Sequence, residues 1–416
     1  MPNNQTLSDH HNGRADHHNG RDERLSACCT QPICIKLFEH ADAVGAELRL
    51  VGGVVRNAFA GWPQKSPPDL DFAVDRPIEE FSGSLREAGF SVYDTGLSHG
   101  TVTVRADGAS AEVTQLRVDD ETDGRHADIR FTTNWQHDAH RRDFTINALY
   151  LDGQGRLYDP LGARDDLKAF RLRFIGEPSQ RLAEDYLRLL RAFRFLSVYP
   201  ELEMTETDYH ALAEAVPYLS RLSSERIGSE YRQICSGEAA AKVVAQMSEL
   251  GVDRQLFGAV MCYPFAAQHP YYTELCSVFA KCEFPEQLAL CLPVAAELSR
   301  LSLTRKELRL LTKMTSDYHS GGAAGFEGES WRRSAYRMYD IRRYAYLRAV
   351  ADDIVRFCPD RLRQIVYFEA PSCPVSGLDI QHIYNVSGAD IAARLAVVRD
   401  RWIDSDFTLT KDDLLR

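Results

Sequence analysis

Apolar positions follow two different periods along this chain. Over 33–46 they recur at three- and four-residue steps and predict a helix that leads into a short strand at 48–51. The glycine pair Gly52-Gly53 punctuates the end of that strand, and a short helix is expected before a second strand that carries Asp69 and Asp71 on alternate residues. A further helix is predicted over 78–88. Thr101-Val102-Thr103-Val104 and Ala111-Glu112-Val113-Thr114 alternate with period two and read as strands joined by a turn at Asp107-Gly108. The helical period returns over 181–195. Ser223 is placed to cap a helix, and beyond about 240 the chain reads as mostly helical, with Thr304 and Glu307 spaced as a capping box. Strands gathered early and helices late predict an α+β chain, a sheet with helices on one face followed by an all-α half.

Composition adds bounds. The 416 residues suffice for two or three domains, and 44% apolar with 26% charged residues is ordinary for a soluble globular protein. No apolar run reaches the length of a membrane span and the polar, His-rich start is no signal peptide, so a cytoplasmic location and no membrane partner are expected. Ten scattered cysteines without a Cys-x-x-Cys indicate neither a zinc ribbon nor a disulfide framework. Residues 1–25 hold a near repeat around His10-His11 and His17-His18, too poor in apolar residues to bury a core, and are expected to be a disordered tail. The net charge of -11 excludes a generally basic surface. Any contact with a polyanion must be local, and after a glycine-rich break at 320–328 the stretch 331–348 offers Arg332, Arg333, Arg337, Arg342, Arg343 and Arg348 against one acid, Asp340. Tyr336, Tyr339, Tyr344 and Tyr346 interleave them, suiting RNA, although helical spacing sends about half of these rings to the core.

Candidate chemistry starts at the second strand. Side chains two apart on a strand share a face, so Asp69 and Asp71 point the same way, and a divalent cation, best Mg2+, is the natural partner of such a pair. Gly52 and Gly53 let backbone N–H groups approach a phosphate without a Cβ in the way. Glu112 is placed to be a third carboxylate or an ordinary strand-edge glutamate. In Arg141-Arg142-Asp143-Phe144-Thr145-Ile146-Asn147, Arg142 suits a triphosphate, and Asp143 and Asn147, four apart, are expected to share a helix face and bind a ribose hydroxyl. His137-Asp138 suggests a metal-dependent phosphohydrolase, without supporting spacing elsewhere. Within 181–195, Glu184, Asp185, Arg188 and Arg191 line one helix edge. Each motif taken singly also has a plain structural reading: a solvated acidic pair, a tight turn, a polar helix rim, a set of surface ion pairs.

In combination they are more specific. Gly-Gly, Arg56 three residues on, and Asp-x-Asp at the next strand resemble the signature shared by DNA polymerase beta, poly(A) polymerases and tRNA CCA-adding enzymes. The 141–149 stretch, the connector Tyr158-Asp159-Pro160-Leu161-Gly162 (whose Pro and Gly fit a hinge), Glu184-Asp185-x-x-Arg188 and 222–230 resemble further motifs of the bacterial and mitochondrial branch of tRNA nucleotidyltransferases. The resemblance is strong over 48–230 and architectural afterwards. It implies a nucleotidyltransferase head at 26–170, a helical neck at 171–240 and a tRNA-binding body and tail at 241–416. It also implies Mg2+ on Asp69 and Asp71 in a two-metal mechanism, with Glu112 nearby, and the substrates tRNA, CTP and ATP, with no protein partner. Glu184, Asp185 and Arg188 become the protein template that pairs with C and A. The charged loop 119–126 favours full CCA addition over CC addition. Poly(A) polymerase and partial CC or A adders are the near alternatives, and an inactive RNA-binding scaffold the distant one. One departure stands out: the family motif continues Arg-Asp, whereas this chain has Arg56-Asn57.

Overall fold

The computed structural model describes residues 23–119, 129–260, 270–291, 297–320, 331–337, 342–351 and 357–416. The His-rich start up to 22, most of the charged loop at 119–126, the glycine-rich break and Tyr339 lie outside them. The chain divides into two compact units, Met1–Leu222 and Ser223–Arg416.

The first unit is built on a seven-stranded sheet of order β3-β4-β5-β2-β1-β8-β9. Its strands are β1 (Leu48–Val51), β2 (Asp71–Val74), β3 (Ser91–Gly96), β4 (Thr101–Ala106), β5 (Ala109–Gln115), β8 (Tyr150–Leu151) and β9 (Leu157–Tyr158), while β6 (Arg117–Asp119) and β7 (Ile129–Phe131) form a separate ribbon. All neighbours in the main sheet are antiparallel except β2 and β5, which run parallel. Central β1 and β2 bury Leu48, Leu50, Val51, Phe72, Ala73 and Val74, the continuous apolar pattern of strands covered on both faces. Helix α1 (Pro32–Ala43) packs on the sheet through Phe38, whose ring meets Phe72 edge-on at 5.4 Å. The hairpin β4–β5 turns at Asp107 and Gly108, both at positive φ (53° and 78°), the geometry that matches the twist of two strands joined by two residues. Helices α2 (Gly53–Ala60) and α3 (Ile78–Glu87) follow β1 and β2.

After the sheet come α4 (Trp135–His140), α5 (Ala163–Lys168), α6 (Pro178–Glu184), α7 (Leu187–Val198) and α8 (Glu206–Ala215). The connector is no loose hinge. Asp159 accepts from the N–H groups of Ala163 and Arg164, and buried Asp166 accepts from Thr145 Oγ1 at 2.6 Å and from the guanidinium of Arg173 at 2.8 Å, tying it to the sheet unit.

Among the described residues of the second unit, every regular element is a helix. Its opening helix α9 (Ser224–Cys235) is capped by Ser223 as expected. Gly228 lies so close to the Leu301 carbonyl that a Cβ would come within 2.1 Å of the oxygen, an approach only glycine allows. Thr304 and Glu307 form the expected capping box, and Glu307 also holds the guanidinium of Arg232. Tyr344 and Tyr346 are core residues and Tyr336 packs on Phe407 at 5.3 Å. Among the described residues no helix is long and apolar enough to cross a membrane, and no two cysteines are joined by a disulfide.

Candidate active site

Strand β1 ends at Val51, opposite Asp71 of β2, and Asp71 is in turn level with Glu112 of parallel β5. The chain leaves β1 through Gly52, at φ 77°, where a Cβ would be strained and would sit 3.7 Å from Asp71 Oδ2. Asp71 is therefore flanked by a glycine turn on one side and a second carboxylate on the other. Burial, then Glu112, and then Asp69 raise its carboxyl above the usual range, opposed by Arg142 and Lys65. Asp69 is not on the strand. The ladder begins at the Leu70 carbonyl, which accepts from the Glu112 N–H at 2.8 Å; Asp69 lies just ahead of it, exposed, with the ammonium of Lys65 on its carboxylate. Among the described residues no group of three or more His, Cys, Asp or Glu side chains stands in metal-ligating reach. Two carboxylates with the remaining positions left to water and phosphate still fit a hard divalent cation. Asp71's raised carboxyl and the lysine already drawn to Asp69 both mark a place short of positive charge.

The 141–147 segment is not a helix. Phe144 bridges Phe174, Thr145–Asn147 is a single 3-10 turn, and the N–H of Thr145 and the carbonyl of Asp143 are spent on Arg173 and Ile175 instead of on an i−4 ladder. The two residues expected on one helix face nevertheless meet. Asp143 Oδ1 accepts from Asn147 Nδ2 at 2.9 Å and from the Phe144 N–H at 2.8 Å, while Oδ2 accepts from Arg191 Nε at 2.7 Å. Burial alone raises such a carboxyl. Arg191 and these hydrogen bonds outweigh it and bring Asp143 down to about 2. Arg142 bonds Asp138 at 3.0 Å and the Tyr150 hydroxyl at 3.2 Å. Asp138, fully buried at 0% exposure, also takes Arg141 at 2.8 Å and Tyr150 OH at 2.8 Å. Against the penalty of burial, Arg142 and Arg141 hold it below the usual carboxylate range. Asp138 is thus a bracket under the site, and among the described residues it joins no His-Asp metal cluster.

The 181–195 helix is broken. Glu184 ends α6, Asp185 is extended at φ −153° and ψ 102°, and Asp185 Oδ1 accepts from the Leu187 N–H at 3.1 Å, starting α7. An aspartate that bonds the backbone two residues on competes with helix continuation. Arg181 and Arg188 converge on Glu184 Oε2, Arg188 at 2.5 Å. Both arginines also reach back to the 141–142 backbone: Arg181 Nη2 donates to the Arg141 and Arg142 carbonyls at 2.7 Å each, and Arg188 Nη2 to Arg141 O at 3.3 Å. The structure thus gathers Arg142, Asp143, Asn147, Glu184, Arg188 and Arg191, with Arg56 buried behind them on Asn147 Oδ1 at 2.6 Å. Sequence reasoning does not single out Arg181, Tyr150 or Lys65, and it reaches Asp138 only as half of a His-Asp pair; Arg181 carries a signal, three and seven residues before Glu184 and Arg188.

The arginines of 331–348 belong to the second unit and largely serve it. Arg332 bonds Asp406 at 3.3 Å, Arg333 the Asp404 carbonyl at 3.0 Å and Arg337 the Asp404 carboxylate at 2.6 Å, while Arg343 is paired with buried Glu286. The Arg342 side chain lies outside the described residues.

Residues 48–173 match the poly(A) polymerase head domain. Over 89% of this chain and 86% of the relative, the sequence is 33% identical to the mitochondrial CCA tRNA nucleotidyltransferase 1 of Danio rerio, and it is 32% identical to the Homo sapiens protein of the same name over the same shares. The fold matches the crystal structure of the Bacillus stearothermophilus CCA-adding enzyme in complex with CTP, at a TM-score of 0.68 and 20% identity over 91% of this chain and 94% of that one. With the glycine turn, the carboxylate strand and the broken helix in place, and with relatives this similar over most of both chains, the chain belongs to the CCA tRNA nucleotidyltransferase family.

Proposed function

We propose that this chain adds C, C and A to the 3′ end of tRNA from CTP and ATP, with Mg2+ and release of pyrophosphate. The observation that carries the reading is the joint at 141–143: Arg142 bears electrostatically on Asp71, while Arg181 and Arg188 bond the Arg141 and Arg142 carbonyls. One segment thereby bonds the two arginines beside Glu184 and carries the guanidinium whose charge favours an ionised Asp71. Mg2+ on Asp69 and Asp71, with Glu112 beside them, would lower the pKa of the terminal ribose hydroxyl and neutralise the leaving pyrophosphate. Gly52 and Gly53 open the first turn of α2 to a phosphate, and Arg142 faces the same charge. Asp143, Asn147 and Arg191 form the polar wall for the ribose. Asp185 accepts from the exocyclic amine that C and A share, Arg188 donates to the adjacent ring nitrogen, and Glu184 orients Arg188 through Oε2. U and G set a carbonyl against Asp185. The head is assigned to 26–170, the neck to 171–240 and tRNA contact to 241–416, where Arg332 and Arg337 keep 45% and 43% of their side chains exposed and their acidic partners are partly or largely exposed too.

Three tRNA transcripts, ending before CCA, after C and after CC, test this with each labelled nucleotide alone and with CTP plus ATP. CC from CTP on the first and a single A from ATP on the third are expected. Long A tracts would place the enzyme with poly(A) polymerases, and CC without A with the partial adders. Arg188→Ala is expected to cut the CTP over UTP preference in kcat/KM about 5- to 150-fold, the equivalent of roughly 1–3 kcal/mol for a bidentate base contact. An unchanged ratio would remove Arg188 from base selection.

A further inference from the structure

The loop 62–70 delivers Asp69, and its start is held by side chains that the reaction above leaves unused. Asn57 Nδ2 donates to the Pro63 carbonyl at 2.8 Å, and the N–H groups of Gly61 and Trp62 both donate to the Asn57 carbonyl at 2.9 Å. The Trp62 ring is stacked on Tyr199, with centroids 4.1 Å and planes 22° apart. Tyr199 closes α7, the helix that starts beside Asp185. Its hydroxyl donates to Asn57 Oδ1 at 3.0 Å and accepts from Arg56 Nη2 at 2.7 Å, while Arg56 Nε donates to the same asparagine oxygen at 3.0 Å.

The balance of donors and acceptors here is specific. Arg56 is buried, and its hydrogen-bond partners are three neutral oxygens, on Asn57, Asn147 and Tyr199. Its guanidinium also lies 5.0 Å from the ring centres of both Phe195 and Tyr199. Asn57 presents an acceptor to Arg56 and Tyr199 and a donor to Pro63, and a carboxylate offers acceptors only. An aspartate at this position would set its second oxygen against the Pro63 carbonyl and push the loop away.

We propose that Asn57, Tyr199 and Trp62 are positioning residues of the nucleotidyl-transfer site, a brace that fixes the loop carrying Asp69 in register with the base-reading helix. The inference rests on the function proposed above. Asn57 is then a requirement of this chain, matched to the Tyr199 hydroxyl, and restoring the family aspartate harms the enzyme.

The test uses the full chain with Asn57→Asp and the milder Tyr199→Phe. Hydrogen exchange by mass spectrometry reads the loop, and the electron paramagnetic resonance signal of free Mn2+ reads metal uptake. Loss of one buried hydrogen bond predicts exchange in 62–70 about tenfold faster, with the central strands still protected, and a half-saturating Mn2+ concentration about tenfold higher. In the extension assay kcat falls about 10- to 100-fold while KM for CTP stays within about 3-fold, the mark of misplaced reacting groups. Unchanged exchange and Mn2+ uptake in both variants would overturn the brace, as would exchange that accelerates evenly through the unit. A wild-type protein that adds no nucleotide, with both variants still loosening the loop and weakening Mn2+ uptake, would instead sink the assignment of the reaction and leave the brace standing.

Discussion

Asp71→Asn is expected to cost about 1,000-fold or more in the rate of nucleotide addition while making the metal-free protein more stable. The rate loss follows from removing a carboxylate proposed to hold the metal, whose stabilisation of transition-state charge would be worth several kcal/mol, each 1.36 kcal/mol being tenfold. The stability gain follows from the sign of the shift. Burial and the neighbouring Glu112 and Asp69 raise the Asp71 carboxyl above its ordinary 3.8, so the folded state binds the proton more tightly than the unfolded one. The ionised carboxylate then opposes folding at neutral pH, fully so above the folded pKa, and the penalty fades as pH falls toward 3.8. Asparagine keeps the shape and removes the charge. Thermal unfolding in chelator at pH 7 should therefore show a higher Tm for the variant, converging with wild type as the pH approaches 4. Added Mg2+ with CTP should raise the wild-type Tm and leave the variant's where it was. A variant that loses activity and also melts lower in chelator would mean that Asp71 supports the fold and does not strain it.

Much of this architecture was legible in the sequence because it is written in burial. Strands β1, β2, β4 and β5 and helices α1 and α3 follow apolar periods, and the β4–β5 turn follows from Asp107-Gly108. Strand β3 gave no such signal: Ser91, Tyr93, Asp94 and Thr95 are exposed on an edge, so its two faces do not alternate in polarity. Type and spacing single out the carboxylates, the 141–147 motif and the residues proposed to read the base, yet they predict one helix where the structure has a 3-10 turn and another where it has a break. A polar pair four apart fits a helix, and it also fits a 3-10 turn whose Asn147 folds back onto Asp143. The break at Asp185 depends on one side-chain bond to the Leu187 N–H. Sequence pairs Asp138 with His137, whereas its partners in the structure include Tyr150, on a strand whose placement no local pattern reveals. Arg181 acts at backbone carbonyls that every residue possesses, and Tyr199 acts through side chains distant in sequence, those of Asn57, Arg56 and Trp62.

Asp138 carries the other large effect. The carboxylate is fully buried and accepts from Arg141 at 2.8 Å, Arg142 at 3.0 Å and Tyr150 at 2.8 Å. Asp138→Asn keeps its volume and replaces one acceptor with an NH2 group that faces guanidinium donors. Breaking a buried pair by altering one partner costs about 3–5 kcal/mol, because the remaining charge stays buried and uncompensated. For a unit of this size that corresponds to roughly 6–20 °C in Tm. The sheet unit should melt earlier, as a separate first transition if the two units unfold independently. The pH dependence distinguishes this from a simple packing defect. Asp138 lies below its ordinary 3.8 in the folded state, so its contribution is fully present above that value and is lost as pH falls through the depressed folded pKa. Asp143, at about 2, adds a loss of the same sign in the same acid window. Wild-type and Asp138→Asn melting temperatures should therefore differ by a constant amount above pH 5 or so and draw together below about 4, leaving the variant with the shallower acid limb. A gap that stays constant into acid would assign the damage to shape alone. The bracket also bears on catalysis: Arg142, whose charge favours an ionised Asp71, is released from Asp138, so the variant should lose activity at temperatures well below its own melting point.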